Sequence, residues 1–504
     1  MNLKQIKSRL KNVFSWLRHP GSSLSQKVIH GGIWVFAIRI VSRGFTLIRT
    51  IVLARLLAPN DFGLFGIAML ALTSLRAFSR TGFDQAIIQK KDDTKPYLNS
   101  AWTVQVIRGA VLASILIAGA PLVGAFFGEP RAVLLVRVLG IAELIKSFRN
   151  IGIVFFRKEL EFHKQFVYRA GGLIADLAVA LPAAFILRSV WALVFGLLAK
   201  NTVQTIMSFI VHSFRPSIEF NKEKIIELVD FGRWIMGSSI LFFLFNQGDD
   251  IFVGRVIGTS ALGLYQLAYR MTNVITTEFT LTVTKVLFPA YSKIQDDINK
   301  LKETYVASFY LTNVLIFLFI GLVFTVGPDF VPIVLGEKWS AMIPLLFALG
   351  ICALSRTLNG LSGPVLRSLG RPDLITKAMI VNVTLLALLI YPFSVRWGVF
   401  GVALSVSIAT LTGRAIQLNL TRKELKHSGV VFVKSIGPPL ISALNVALVS
   451  RTLKLVWEIK TVYGLIGLSG GLVTVYFLSM AFFVYLTSYD VKEIVLKYRS
   501  KIIG

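Results

Sequence analysis

Four arginines, Arg39, Arg43, Arg49 and Arg55, sit in the stretch IRIVSRGFTLIRTIVLARLL, residues 38–57, which is otherwise apolar. A guanidinium keeps its charge in any protein environment, and its planar fork matches the oxygens of a phosphate. Arg39 and Arg43 are four residues apart and stack on one helix face. Arg49 lies about 80° further round at 3.6 residues per turn. The three make a basic stripe that suits the wall of a wet cavity. They lack the regular three-residue spacing of a voltage sensor. Lys200, Arg270, Lys285, Arg356 and Arg414 are further cations in apolar surroundings. If they converge with the stripe, the chemistry they offer is the binding of an anion, above all a phosphate or pyrophosphate. A carrier of metal cations would line its path with acids.

These side chains must be positioned by membrane helices. The chain has 504 residues, 55% of them hydrophobic, and a mean hydropathy of +0.70. Apolar runs of about 20 residues recur from end to end, each long enough to cross a bilayer. We read fourteen spans, near 33–57, 62–86, 100–127, 132–156, 166–187, 190–212, 233–257, 262–288, 304–326, 341–366, 378–394, 398–420, 435–456 and 462–487. Lipid offers no partner to a bare backbone group, so the spans are helices. With the N-terminus inside, the cytoplasmic segments hold 30 Lys and Arg and the opposite loops 7. The positive-inside rule then places both termini in the cytoplasm. No signal peptide is expected in MNLKQIKSRLKNVFSWLRHPGSS, whose apolar residues follow helical spacing among basic ones. It reads as an amphipathic segment on the anionic inner leaflet, with a disordered basic tail as the plain alternative.

The expected organisation is a basic cytoplasmic segment over 1–32, six spans over 33–212, a linker over 213–232, six spans over 233–420, and two peripheral spans with a tail over 421–504. The formal charge is +28, but the basic residues form no soluble domain or aromatic platform for nucleic acid. The single cysteine, Cys352, excludes an intrachain disulfide. His19, His30, His163, His212 and His427 have no metal-binding spacing, and no cofactor motif occurs. A polymerase or ligase would carry catalytic residues on a large external loop, and the external loops here are short.

With Arg233, Arg451 and Lys454, at span edges, counted among the flanking loops, the spans contain 17 basic residues and six acids: Asp84, Glu143, Asp176, Asp249, Asp250 and Glu278. A charge at the bilayer centre costs about 3 kcal/mol on insertion scales, so the surplus cations must reach an interface or face water. Arg55, Arg76, Arg80, Arg149 and Arg169 lie near span ends and are expected to anchor at the interface. Asp84, Asp176, Asp249, Asp250 and Glu278 are the candidates for proton or sodium coupling. A structural salt bridge is the alternative for each.

IVLARLLAPNDFGLFGIA (51–68) aligns without a gap on IFVGRVIGTSALGLYQLA (251–268), pairing Arg55 with Arg255 and Gly63 with Gly263. The constant offset relates spans 1 and 2 to spans 7 and 8. Two parallel repeats about an axis normal to the membrane follow, with a substrate site expected between them. The same offset pairs Arg49 with Asp249 and suggests an ion pair across that axis.

The segments VSRGFTLIRTIVLARLLAPNDFGLFGIA, TGFDQAIIQ and GRVIGTSALGLYQLAYRM resemble the Wzx-like lipopolysaccharide and exopolysaccharide flippases, polysaccharide transporters of the multidrug/oligosaccharidyl-lipid/polysaccharide (MOP) exporter superfamily. The resemblance implies an all-α polytopic fold of about 14 helices, with two MATE-like six-helix lobes and two extra helices. It implies alternating access for an undecaprenyl-pyrophosphate-linked oligosaccharide, moved across the bacterial inner membrane for O-antigen, lipopolysaccharide or exopolysaccharide synthesis. Arginines on the first and eighth spans contact the pyrophosphate in related lipid flippases, which points to Arg39, Arg43, Arg49 and Arg270. Membrane lipids, a polysaccharide polymerase and a chain-length regulator are the implied partners of a monomer that is not an enzyme. A lipid II flippase, or a multidrug antiporter with an acidic or neutral cavity, are the rival readings.

Overall fold

The computed structural model describes residues 24–79, 82–83, 87–88, 94–223, 239–240, 243–358, 360–426 and 429–486. Among the described residues, helices lie at each of the fourteen expected positions. The first six are α1 (Leu24–Leu56), α2 (Pro59–Phe78), α3 (Lys95–Phe127), α4 (Ala132–Ser147), α5 (Phe162–Leu187) and α6 (Trp191–Val211). Next come α7 (residues 243–257, ending in the π-turn Val253–Ile257), α8 (Thr259–Lys293), α9 (Ile298–Phe330, running into a second π-turn, Val331–Leu335) and α10 (Ile343–Leu358). One helical stretch, Pro372–Glu424, is two helices joined at Gly398: α11 (372–397) and α12 (399–424). The last two are α13 (Gly429–Val456) and α14 (Val462–Leu486). Among the described residues, nine helices are long and apolar enough to cross a membrane, with the stretch through Gly398 taken as one.

Helix ends depart from the expected spans for physical reasons. Hydropathy marks the apolar part of a helix, whereas backbone hydrogen bonding continues past it. Thus α1 starts at Leu24, nine residues before the expected span, and α9 starts at Ile298 behind the cap of Asp297, whose carboxylate accepts from the Lys300 amide at 3.0 Å. Conversely α4 stops at Ser147, and the rest of its expected span folds as a 3-10 turn, Ile151–Val154, and a short helix, Phe155–Lys158. The break between α11 and α12 falls at Gly398, with φ 56° and ψ −139°, a backbone region open to glycine and strained for other residues. The amphipathic reading of residues 1–23 lies outside the described residues.

The chain divides into two compact units, Met1–Ser260 and Ala261–Gly504. In the first, α5 packs along α6, α3 along α4, and α1 against α5. In the second, α10 packs on the α11–α12 stretch, and α9 on α13 and α14. Tyr310 and Phe317 of α9 meet Val446 of α13 and Leu468, Leu472 and Tyr476 of α14 in one apolar cluster. Large apolar side chains such as Ile186, Ile210, Leu388 and Leu448 stay exposed, as expected of surfaces that face acyl chains.

Candidate functional site

In the first unit, Arg49 of α1 meets Asp176 of α5. Arg49 Nε donates to Asp176 Oδ1 at 3.0 Å, with 16% and 10% of the two side chains exposed. Lys200 of α6 is close enough to attract Asp176 and to repel Arg49 and Arg169. The carboxylate fits because α6 carries Gly196 beside it. A Cβ at Gly196 would lie 2.3 Å from Asp176 Oδ1 and 2.7 Å from Ala180 Cβ. Two cations therefore share one buried acid on three packed helices, which leaves the cluster with a net charge of +1. The pairing expected between Arg49 and Asp249 is corrected here. The Asp176 carboxylate is delivered by the helix against which α1 packs, a proximity invisible to the repeat. Asp249 is buried, with 7% exposure, in the middle of α7.

In the second unit, Arg356 of α10 donates through Nη1 to the Tyr269 hydroxyl of α8, and its guanidinium lies 5.3 Å from the Tyr269 ring centre. Arg414 of α12 donates to Gln417 Oε1 at 2.8 Å, and Arg356 is near enough to repel it. The register that brings these two arginines together is set one turn earlier. Cys352 Sγ contacts Thr410 Oγ1 at 3.6 Å, and Ser407 Oγ donates to the Ala348 carbonyl at 2.6 Å. Tyr269 and Gln417, the partners seen among the described residues, are neutral. Such a pair is suited to an anion: each guanidinium can turn its fork to one phosphate oxygen pair, and the second cation makes the first available only to a ligand that relieves their repulsion.

The remaining candidates are placed as follows. Arg39 and Arg43 lie on α1, half-buried and exposed respectively, and Arg270 and Lys285 are exposed on α8. Arg55 and Arg255 are exposed at the ends of α1 and α7, and Arg255 lies over the Phe126 ring at 5.5 Å. Asp250 is half-buried on α7. Asp84 and Arg80 lie outside the described residues, as does the side chain of Glu278. Arg76 is not the interface anchor expected of it. Its Nε donates to Glu143 Oε2 at 3.0 Å, and Lys146 Nζ is 3.8 Å from the same oxygen. Glu143 is only 4% exposed, so its pairing with Arg76 is a second buried salt bridge of this unit, beside that of Arg49 with Asp176. Sequence reasoning missed Tyr269, Gln417 and Gly196. A hydroxyl beside Arg270 in an apolar span was the available signal for Tyr269; nothing in the sequence marked Gly196.

The offset of 200 residues is visible at the turn after each repeat-equivalent helix. Two residues separate the end of α1 at Leu56 from Pro59, and one, Gly258 with φ 114°, separates the end of α7 at Ile257 from Thr259. The two turns touch. A Cβ at Gly63 would lie 1.8 Å from the Thr259 carbonyl oxygen, and Ser260 Oγ is 3.5 Å from Asn60 Oδ1, its repeat equivalent.

Over residues 52–344 the sequence matches the family described as "Polysaccharide biosynthesis protein". The chain belongs to that family. The lipopolysaccharide biosynthesis protein WzxC of Escherichia coli (strain K12) is 25% identical over 437 residues, spanning 86% of this chain and 89% of WzxC. Among solved structures, the lipid II flippase MurJ in an inward closed conformation superposes with a TM-score of 0.69 at 14% identity, spanning 91% of this chain and 99% of MurJ. An inward-facing multidrug resistance MATE transporter of the MOP superfamily gives a TM-score of 0.62 at 14% identity, spanning 76% of this chain and 94% of the transporter. At these identities the likeness is one of fold. The family member described here is a multi-pass, all-α membrane protein with the fold of that superfamily.

Proposed function

We propose that the protein is a flippase for undecaprenyl-pyrophosphate-linked oligosaccharide units, serving lipopolysaccharide or exopolysaccharide synthesis. The observation that carries this reading is the pair of cationic clusters held within membrane helices: Arg49 and Lys200 around Asp176, and Arg356 with Arg414. A pyrophosphate is the group on such a substrate that cannot cross lipid bare. The clusters bind it in turn during alternating access, while the polyprenyl chain stays in the bilayer. Each contact is weak enough to release, because Asp176 competes for Arg49 and Tyr269 for Arg356. The membership of the polysaccharide biosynthesis family supports the substrate class.

In this reading the protein works as a monomer in the bacterial inner membrane with both termini in the cytoplasm. Residues 33–212 and 233–420 form the two six-helix lobes, and α13 and α14 are peripheral. The product is passed to a polymerase and its chain-length regulator. Deleting the gene and isolating undecaprenyl-linked lipids tests the proposal. Glycan-bearing lipid should accumulate on the cytoplasmic side and one surface polymer should disappear. A deletion strain with an unchanged surface polymer and no accumulated lipid would contradict it.

A further inference from the structure

Beyond the two clusters, the first unit contains a cavity of about 160 Å³ where the turn after α4 meets the first turns of α5. Arg149, Arg157 and Arg169 line it, with Gln165, Tyr168 and Phe156. Interface anchoring, expected for Arg149 and Arg169, would spread these side chains towards headgroups on separate helix ends. Here they converge with Arg157 on one hollow, and the charge of Arg169 is opposed by both Arg157 and Arg149. Among the described residues no carboxylate lines the cavity. The neighbouring acid Glu161 is bound by Lys164 at 2.7 Å.

The hollow is built rather than incidental. Fully buried Asn150 fixes the turn: its amide donates to Ser208 Oγ at 2.9 Å, its Nδ2 to the Phe214 carbonyl at 2.6 Å, and its Oδ1 accepts from Gly152 N at 2.9 Å. Gln105 Nε2 donates to the carbonyls of Ser147 and Arg149 at 2.7 and 2.9 Å. Phe156, 0% exposed, closes the floor against His212, with ring centres 5.6 Å apart. Gln165 and Arg169, four residues apart, share a face of α5. Arg157 at the turn and Arg169 on α5 face the same hollow and repel one another, and their guanidinium forks match the oxygens of a phosphate. A cavity of this volume has room for a phosphate group.

We propose that this cavity is a phosphate-binding site at the end of α5 that positive-inside counting assigns to the cytoplasm. A phosphate there can belong to the headgroup of an anionic phospholipid of the inner leaflet or to a free phosphate ion. The site is separate from the clusters of the proposed transport reaction, and its occupancy does not depend on that reading.

The test uses the purified full chain in detergent, with Arg157→Gln and Arg169→Gln as variants. Arg157 and Arg169 are exposed, so both variants should fold, and a circular dichroism spectrum checks that they do. Native mass spectrometry measures retention of phosphatidylglycerol against phosphatidylcholine, and equilibrium dialysis measures inorganic phosphate. Each substitution should weaken the bound phosphate species about tenfold, the effect of removing one charge-assisted hydrogen bond. Loss confined to phosphatidylglycerol identifies a lipid headgroup, and loss confined to inorganic phosphate identifies a free ion. Binding of both that is indifferent to Arg157→Gln and Arg169→Gln, or no binding of either, overturns the proposal.

Discussion

Removing the carboxylate of Asp176 tests how the first cluster is held. Asp176→Asn keeps the size of the side chain and removes its charge, leaving Arg49 and Lys200 facing each other without a counter-ion. Unit charges about 4 Å apart attract by about 4 kcal/mol at an effective dielectric of about 20. Water reaches 16% of the Arg49 side chain, which reduces the coupling to about 2–3 kcal/mol, within the range seen for residues in direct contact. The assay is a double-mutant cycle of Arg49→Gln, Asp176→Asn and the pair, read by reversible SDS unfolding in mixed micelles. Each single variant should be destabilised by about 3 kcal/mol, because each leaves a buried charge without its partner. The double variant should lose less than the sum by the coupling energy. A coupling below about 0.5 kcal/mol would refute the reasoning that Asp176 positions Arg49.

Two further outcomes follow from local geometry. Gly196→Ala places a methyl 2.3 Å from Asp176 Oδ1, so it should cost about 1–3 kcal/mol by overpacking, and much of that cost should vanish in an Asp176→Asn background; an equal cost in both backgrounds contradicts the contact. At the turn after α3, Glu129 accepts from Arg131 Nε at 2.8 Å and from Thr259 Oγ1 at 3.2 Å. The Arg131 hydrogen bond holds the Glu129 carboxyl below its ordinary 4.5. A depressed carboxylate stabilises the fold above the unfolded value and loses that contribution as pH falls through the folded one. The stability difference between wild type and Glu129→Gln should therefore be constant from about pH 7 to about pH 5 and shrink only below about 4.5. A difference already gone at about pH 6 would refute the assignment.

The fold was legible because lipid leaves the chain one kind of answer. Apolar runs between basic breaks had to be helices, and even the break before α12 was visible in SVRWG, where Gly398 bends the backbone. The repeat was legible too, since Arg55 with Arg255 and Gly63 with Gly263 mark equivalent turns. What the sequence concealed was which side chains of different helices meet. Arg356 and Arg414 stood out as charges in apolar spans, but their proximity depends on the register set by Cys352 with Thr410. Arg49 was assigned Asp249 by offset, when the packing of α1 on α5 delivers Asp176. Arg76 looked like an anchor because it is near a span end, and only the fold of α4 against α2 reveals its buried partner Glu143. Charge in a membrane span is therefore readable as a demand for a partner, whereas the identity of the partner belongs to tertiary packing.

The central claim is that intramembrane cations carry the pyrophosphate of the substrate. Purified protein in proteoliposomes, supplied with undecaprenyl-pyrophosphate oligosaccharide on one face, tests it by the rate at which a glycan-directed probe on the other face gains access. The account predicts that Arg356→Gln and Arg414→Gln each slow translocation at least about tenfold, as loss of a charged hydrogen bond worth about 1.5–3 kcal/mol requires, and that free pyrophosphate competes with the wild type. Wild-type rates in an Arg356→Gln, Arg414→Gln double variant, with no competition by pyrophosphate, would contradict it.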